Sequence, residues 1–337
     1  MWYRRPAVRD LAWLVLDGAL DLPAGSGALE TVQPGEAERA ELLGLLAGWD
    51  QDPQDAWLGP VDPRLRLGLY AERLIGAWLR HSRLIRLVAM NWPLRENRIT
   101  LGEADFLVER RGHLTGGLQL WELACKIYLG VPGCGWLGPG LEDSLAAKLS
   151  RIRGHQMQLI RHGGFRAAWG AGWTSRAWIA GWLLSPFASV SAGSSSPSFG
   201  RPRIAGVWIE AGDPAVALVE RHAQALGVSE WWLLPKRRWL RPIFADPPVA
   251  QRFAGLGEAA SFLARPDTGA HGPDQPRPLM LAGIRWLPAG HLSAQAMAVA
   301  GPGPVAGESI RLMLVPEGWS GRATRSSGPG TDKELKP

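Results

Sequence analysis

Three carboxylates and a lysine stand at alternate positions in two consecutive extended stretches, ITLGEADFLVE at 99–109 and LQLWELACKIYL at 118–129. Side chains two residues apart share one face of a strand. Glu103 and Asp105 therefore share a face of the first stretch, and Glu122 and Lys126 a face of the second. Ala104, Phe106 and Val108 take the other face, with Trp121, Leu123, Cys125 and Ile127. The intervening RRGHLTGG is turn-rich, and a hairpin folded about position 113 or 114 puts Asp105 opposite Glu122. Like charges packed that closely repel, and burial raises the cost. A divalent cation relieves it, because hard cations take carboxylate oxygens. The hairpin is thus a candidate metal site. The alternative is a half-exposed sheet whose charged face is simply in water.

The elements around the hairpin must position these groups. RLRLGLYAERLIGAWLRH follows Asp62-Pro63, an N-cap and N1 pair, and has helical spacing. Gly68, Glu72 and Gly76 lie at i, i+4 and i+8 on it. Small residues beside Glu72 let a helix approach a sheet, so Glu72 either points at the hairpin or is an ordinary surface acid. RLIRLVAMNWPL reads as a strand before the hairpin. After GVPGCGWLGP, LEDSLAAKLSRIRGHQMQLIRH reads as one long helix with Lys148, Arg151 and His155 in a stripe.

VRDLAWLVLD and EAERAELLGLLAGW, near the start, are helical in pattern. RAWIAGWLLSP, GVWIEA, LMLAGIRW and SIRLMLVPEGW read as strands, and PAVALVERHAQALG as a helix. SAGSSSPSFG reads as a linker, and 265–280 is rich in Pro and Gly. The expected organisation is a helical N-terminal extension at 1–60 and an α/β core at 61–245. A C-terminal extension at 246–318 packs on that core, and a polar, disordered tail covers 319–337.

The chain has 337 residues, 46% of them hydrophobic, enough for a substantial core. Its net charge of +6, carried mostly by arginine, permits an anionic partner such as nucleic acid. Two cysteines, Cys125 and Cys134, suggest a reducing compartment, and Cys125 reads as a core residue. LAWLVL, between Asp10 and Asp17, is too short to span a membrane, so a cytoplasmic protein is expected. Gly133-Cys134-Gly135-Trp136-Leu137-Gly138 matches GxGxxG between a strand and a helix. It lacks the acid expected about 20 residues on, which favours a plain glycine-rich turn into the helix. In WWLLPKRRWLRP, Trp231, Trp232 and Trp239 alternate with Lys236, Arg237, Arg238 and Arg241. The segment is either a base-stacking, phosphate-holding platform or a buried strand with a basic turn. There is no HxxxH pair, P-loop or GxSxG motif.

VRDLAWLV, LGLYAERLIGAWL, TLGEADFLV, WELACKIYLG, WLGPGLEDSLAAKL with HQ following, and LPKRRWLRP come in that order over roughly residues 7–240. They resemble successive blocks of a bacterial family of unknown function, numbered 1853 among such domains. More distantly, a helix with an inward acid, three strands carrying GExD and then E…K, and a following helix with Lys and Gln resemble the core of PD-(D/E)XK nucleases. That resemblance implies an α/β fold with a PD-(D/E)XK nuclease-like core: helix, three-stranded antiparallel meander, helix, further strands. It implies Mg²⁺ or Mn²⁺ as cofactor and nucleic acid as partner. Asp105 and Glu122 would be metal ligands, joined by Glu72 from the first helix. Lys126 would be the catalytic lysine, and Lys148 or Gln156 a helper from the second helix. Lys236, Arg237 and Arg238 are the further candidates for nucleic-acid contact. The superfamily lysine normally follows the acid by two residues, a position that is Ala124 here. Lys126 is four residues on, roughly 13 Å along an extended strand. The implied activity is phosphodiester hydrolysis; the alternative is a catalytically degenerate protein that binds nucleic acid or a protein partner.

Overall fold

The computed structural model describes residues 3–23, 26–52, 54–62, 64–111, 117–188, 205–265, 277–288 and 303–326. Among them are ten strands and eight α-helices, a mixed α/β arrangement. The chain forms two compact units, Met1–Lys126 with Ala146–Gly181, and Ile127–Leu145 with Trp182–Pro337. Two long strands, Leu118–Val131 and Thr174–Pro186, each pass from one unit into the other.

The first unit starts with α1 (Pro6–Leu16), α2 (Glu36–Trp49) and α3 (Leu67–His81). Helix α3 buries Tyr70, Ala71, Leu74, Ile75 and Trp78, the apolar positions of its helical period. The Tyr70 hydroxyl donates to Asp10 Oδ2 of α1 at 2.8 Å. Strands β1 (Ile85–Glu96) and β2 (Ile99–Arg110) pair antiparallel through Asn97 and Arg98, both at positive φ. That is the backbone a two-residue type I′ turn requires. β3 (Leu118–Val131) pairs antiparallel with β2, with Phe106 opposite Trp121. β5 (Thr174–Pro186) lies on the other side of β3. Gly181, at φ 135°, has no room for a Cβ against the Lys126 backbone, so only glycine allows that approach. α4 (Leu145–Gly154), a 3₁₀ turn (Gln156–Arg161) and α5 (Gly163–Trp169) join β3 to β5 in sequence. Leu159 and Phe165 pack with Leu94, Ala104, Leu107 and Leu120.

In the second unit the strands run in the order β5, β6 (Ala205–Glu210), β10 (Val305–Val315), β9 (Leu279–Leu287), β7 (Glu230–Leu233), β8 (Arg252–Phe253). β6 is parallel to both its neighbours, and the remaining pairs are antiparallel. β4 (Gly135–Leu137) pairs with the end of β3. Helices α6 (Val216–Ala225) and α7 (Leu256–Leu263) pack Val219, Ala223, Leu256 and Ala259 against Leu281, Ile310, Leu312 and Leu314. α8 (Trp319–Ser326) closes the described chain.

Several elements differ from the expectations. α3 starts at Leu67, not after Asp62-Pro63. Asp62 instead accepts from Arg64 N in a local turn, and Pro63 lies outside the described residues. The long helix expected from 141 to 162 starts at Leu145 and breaks at His155, whose backbone is not helical. The GxGxxG stretch forms the turn from β3 into β4, with Gly133 and Gly135 at positive φ, and α4 starts only at Leu145. It is a hairpin turn, not a phosphate-cradling loop at a helix N-terminus. The segment from 319 was expected to be disordered, yet α8 begins there. Trp319 is buried, stacks edge-on against Trp208 and donates to Pro139 O at 2.8 Å. Glu210 accepts from the backbone N–H of Gly318 and Ser320, tying down the start of α8. The turn about 113 or 114, SAGSSSPSFG, and most of the Pro/Gly-rich stretch at 265–280 lie outside the described residues, as do 327–337. The unit division runs through β3 and β5, not at residues 60 and 245.

Candidate functional site

Asp105 and Glu122 meet where the paired rungs of β2 and β3 end. The last rung is Phe106 opposite Trp121, and one step further is Asp105 facing Glu122. At that step the Asp105 carboxylate replaces a backbone carbonyl. Its Oδ2 accepts from Leu123 N at 2.7 Å. Glu122 is 3% exposed, because β3 is covered on both faces. This excludes the solvated-face alternative for Glu122, though Glu103 is exposed.

Two side chains from the following elements converge on one oxygen of Glu122. Lys148 Nζ of α4 lies 3.2 Å from Oε1, and Gln156 Nε2 donates to the same atom at 2.6 Å. On one continuous α-helix Lys148 and Gln156 would sit about 12 Å apart along the axis. The break at His155 removes that separation and lets both side chains address a single carboxylate. The helical period of the sequence, which runs on past 155, hid this.

The other oxygen, Glu122 Oε2, is buried and has no hydrogen-bond donor, and Gln156 Oε1 is likewise unpartnered. The Asp105 and Glu122 carboxyls lie within hydrogen-bonding reach of each other. Two acceptors can share such a contact only through a proton or a cation. Burial raises the pKa of Asp105, partly offset by the Leu123 N–H and by Lys148. Burial and then the Asp105 charge raise that of Glu122.

Glu72 of α3 is half-buried and belongs to the same electrostatic group. Burial, then Asp105 and Glu103, push its pKa up to about 7. Lys148 and a hydrogen bond with Asn91 pull the other way. The sequence marks Asn91 only as a polar side chain inside an apolar strand, here at φ 52° where Asn is tolerated. Gly76 packs against Met90 and Phe106 with no room for a Cβ, whereas Gly68 faces open space. Only one of the two glycines therefore serves the approach of α3.

Lys126 is half-buried on β3. The ammonium placed on the acid pair is that of Lys148, and Ala124, two residues after Glu122, is buried. Cys125 is a core thiol, pushed up to about 12 by burial. No group of three or more His, Cys, Asp and Glu among the described residues is gathered to hold a metal by itself. The site offers a pair of carboxylates with one orphaned oxygen. That suits Mg²⁺, which commonly takes one or two carboxylates and completes its shell with water and substrate phosphate.

The second basic cluster is built differently. Trp231 and Trp232 are buried in the second unit, and Trp239 Nε1 donates to Leu234 O. Trp231 and Trp232 are core side chains, not a stacking platform, and Trp239 is half-buried. Lys236, Arg237 and Arg238 lie on a 3₁₀ turn (Lys236–Trp239). Lys236 is exposed, Arg238 donates to Pro247 O, and Arg241 is buried against Asp246. No helix among the described residues is long and apolar enough to cross a membrane.

The fold is thus a mixed α/β one that holds an acid pair, Glu122 buried and Asp105 half-buried, beside a lysine. A family model described as a domain of unknown function, DUF1853, matches residues 9–297, and the chain belongs to that family. No curated protein and no solved structure matches the chain.

Proposed function

We propose that the protein is a Mg²⁺- or Mn²⁺-dependent nuclease that hydrolyses phosphodiester bonds in nucleic acid, built on a PD-(D/E)XK-like core. The observation that carries this is the acid pair with the buried Glu122 Oε2 left without a donor. Burying an unpaired carboxylate oxygen costs free energy unless a proton or cation joins it. Asp105 and Glu122 would hold the ion, with Glu72 at the edge of its shell. Bound there, the ion supplies a Lewis acid to the phosphoryl group and lowers the pKa of water.

The chain's own groups do the rest. Leu123 N fixes Asp105, and Gln156 fixes Glu122. Lys148 brings a positive charge to the pair and is the ammonium best placed to stabilise charge developing on phosphate. It takes the part that the resemblance gave to Lys126. Glu72, with a pKa near 7, can accept or release a proton at neutral pH.

A non-catalytic binder is the second reading, favoured by one observation. With Ala124 at the usual lysine position, Lys148 is already engaged in an ion pair with Glu122. A Mn²⁺ titration with DNA and RNA substrates, wild type against Asp105→Ala, separates the two. Hydrolysis that rises with Mn²⁺ and disappears in the variant is the expected result. Nucleic-acid binding without hydrolysis in either protein would establish the second reading instead.

A further inference from the structure

From the acid pair, the chain runs alongside β2 toward the tip of the β1–β2 hairpin. Gln156 is on Glu122. His155 and Leu159 close over Gly102, where a Cβ would meet both. His162 Nε2 lies 3.6 Å from Glu96 Oε2, near the hairpin turn. The next helix, α5, sets Phe165 and Trp169 edge-on against Trp92, and Gly164 sits against Leu94. The 3₁₀ turn and α5 thus form one substructure with the hairpin, all within the first unit.

Four exposed arginines decorate it: Arg95 and Arg98 on the hairpin, Arg161 and Arg166 on the packed segment. None has a carboxylate or carbonyl partner among the described residues, unlike Arg86, Arg110, Arg153 and Arg176, which are all engaged. The packed segment itself carries no competing anion. Between Asp143 and Glu210 there is no acidic residue at all. Glu96 and Glu103 are the carboxylates of the hairpin nearby, and His162 faces one of them.

We infer that these arginines form a track for the phosphate backbone of a polynucleotide, leading from the hairpin tip to the acid pair. From Ile99 to Asp105 an extended strand covers about 20 Å. One strand of a duplex carries a phosphate every 3.4 Å or so along its axis, so the track spans about six of them. A mononucleotide cannot use it; a polynucleotide can. Guanidinium groups suit phosphate because their planar donors fit its oxygens. The inference rests on the proposed nuclease reading for its choice of polyanion. It replaces Lys236, Arg237 and Arg238 as the principal nucleic-acid contacts.

The test is binding of a fluorescent DNA duplex to the full chain in EDTA, across a range of salt. Wild type is compared with Arg95→Gln/Arg98→Gln/Arg161→Gln/Arg166→Gln and with Lys236→Gln/Arg237→Gln/Arg238→Gln. Each phosphate contact contributes roughly 0.9 to the slope of log K against log salt. The fourfold variant should lose roughly 3 to 4 from that slope and weaken all sequences alike. The threefold variant should stay within about one of wild type. Since the four arginines are exposed, the fourfold variant should melt as wild type does.

An unchanged slope in the fourfold variant overturns the inference. So does an equal fall in the threefold variant, because binding would then follow net charge alone. Retention on heparin with no binding to DNA or RNA also overturns it, in favour of another polyanion. The nuclease reading fails separately. An arginine-dependent slope with no Mn²⁺-dependent hydrolysis keeps the track and removes the activity. Asp105-dependent hydrolysis of a small phosphodiester such as bis(p-nitrophenyl) phosphate, with an unchanged slope, does the reverse.

Discussion

Each unit buries a cluster of charges, and the two clusters are built on opposite principles. In the second unit Glu308 and Arg311 are fully buried. Arg311 Nε and Nη2 donate to the two oxygens of Glu308 at 2.7 Å. Its remaining donors reach Trp239 O and Arg241 O, and its plane lies 4.4 Å from the Trp182 ring centre. Glu308 also accepts from Ile243 N. The bulge between Glu308 and Ile310 explains how residues three apart on a strand come to face each other. One charge of each sign meets, and both oxygens of Glu308 are satisfied. In the first unit Asp105, Glu122 and Glu72 share one lysine, and a carboxylate oxygen has no donor. The closed cluster leaves no carboxylate oxygen over; the open one does, and on the proposed reading that oxygen is where the ion binds.

The largest effect expected from breaking this contrast is on the closed cluster. Glu308→Ala leaves Arg311 buried without a counter-charge, a loss of about 3–5 kcal/mol. The double variant Glu308→Leu/Arg311→Met removes both charges and should recover most of that loss. Thermal unfolding of the three proteins measures it. A double variant no more stable than the single one would mean that the hydrogen bonds to Ile243, Trp239 and Arg241 matter more than the pair.

The open cluster should respond to ions where the closed one does not. At a hundredfold excess over Kd, Mn²⁺ bound only to the native state adds about 2.7 kcal/mol of stability. Asp105→Ala should abolish the gain, and Glu308→Leu/Arg311→Met should keep it. An equal shift in Asp105→Ala would put the ion elsewhere.

The two clusters also differ in how legible they were. Alternation along β2 and β3 reveals that Asp105 faces Glu122, because strand register follows directly from a period of two. The helices at Glu36–Trp49 and Leu67–His81 show in their apolar spacing. Lys148 and Gln156 meeting on one oxygen does not, since it depends on a break at His155 inside an unbroken apolar pattern. Nor does the Glu308–Arg311 pair, which needs a bulge that reverses the expected faces. Trp319 looked like the start of a polar tail because its partners, Trp208 and Pro139, are far away in sequence. Local pattern reveals elements and register; pairs made by irregularities or by distant chain do not leave a local mark.

The smallest expected effect is a pH dependence from Glu72. Its pKa is raised from 4.5 to about 7, so between those values the native state binds a proton that the unfolded chain has released. Its contribution to stability is present below about pH 4.5 and is lost as pH rises through about 7. Asp105 and Glu122 are shifted in the same direction. Glu72→Gln removes the group that must ionise. In EDTA the variant should match wild type near pH 4.5 and exceed it at pH 8. Because Glu72 is partly solvated the gain is discounted to about 1 kcal/mol or less. With saturating Mn²⁺ the order at pH 8 should reverse, because the ion needs the ionised carboxylate that the variant lacks. A difference that is the same at both pH values would mean that Glu72 acts through packing, and would detach it from the acid pair.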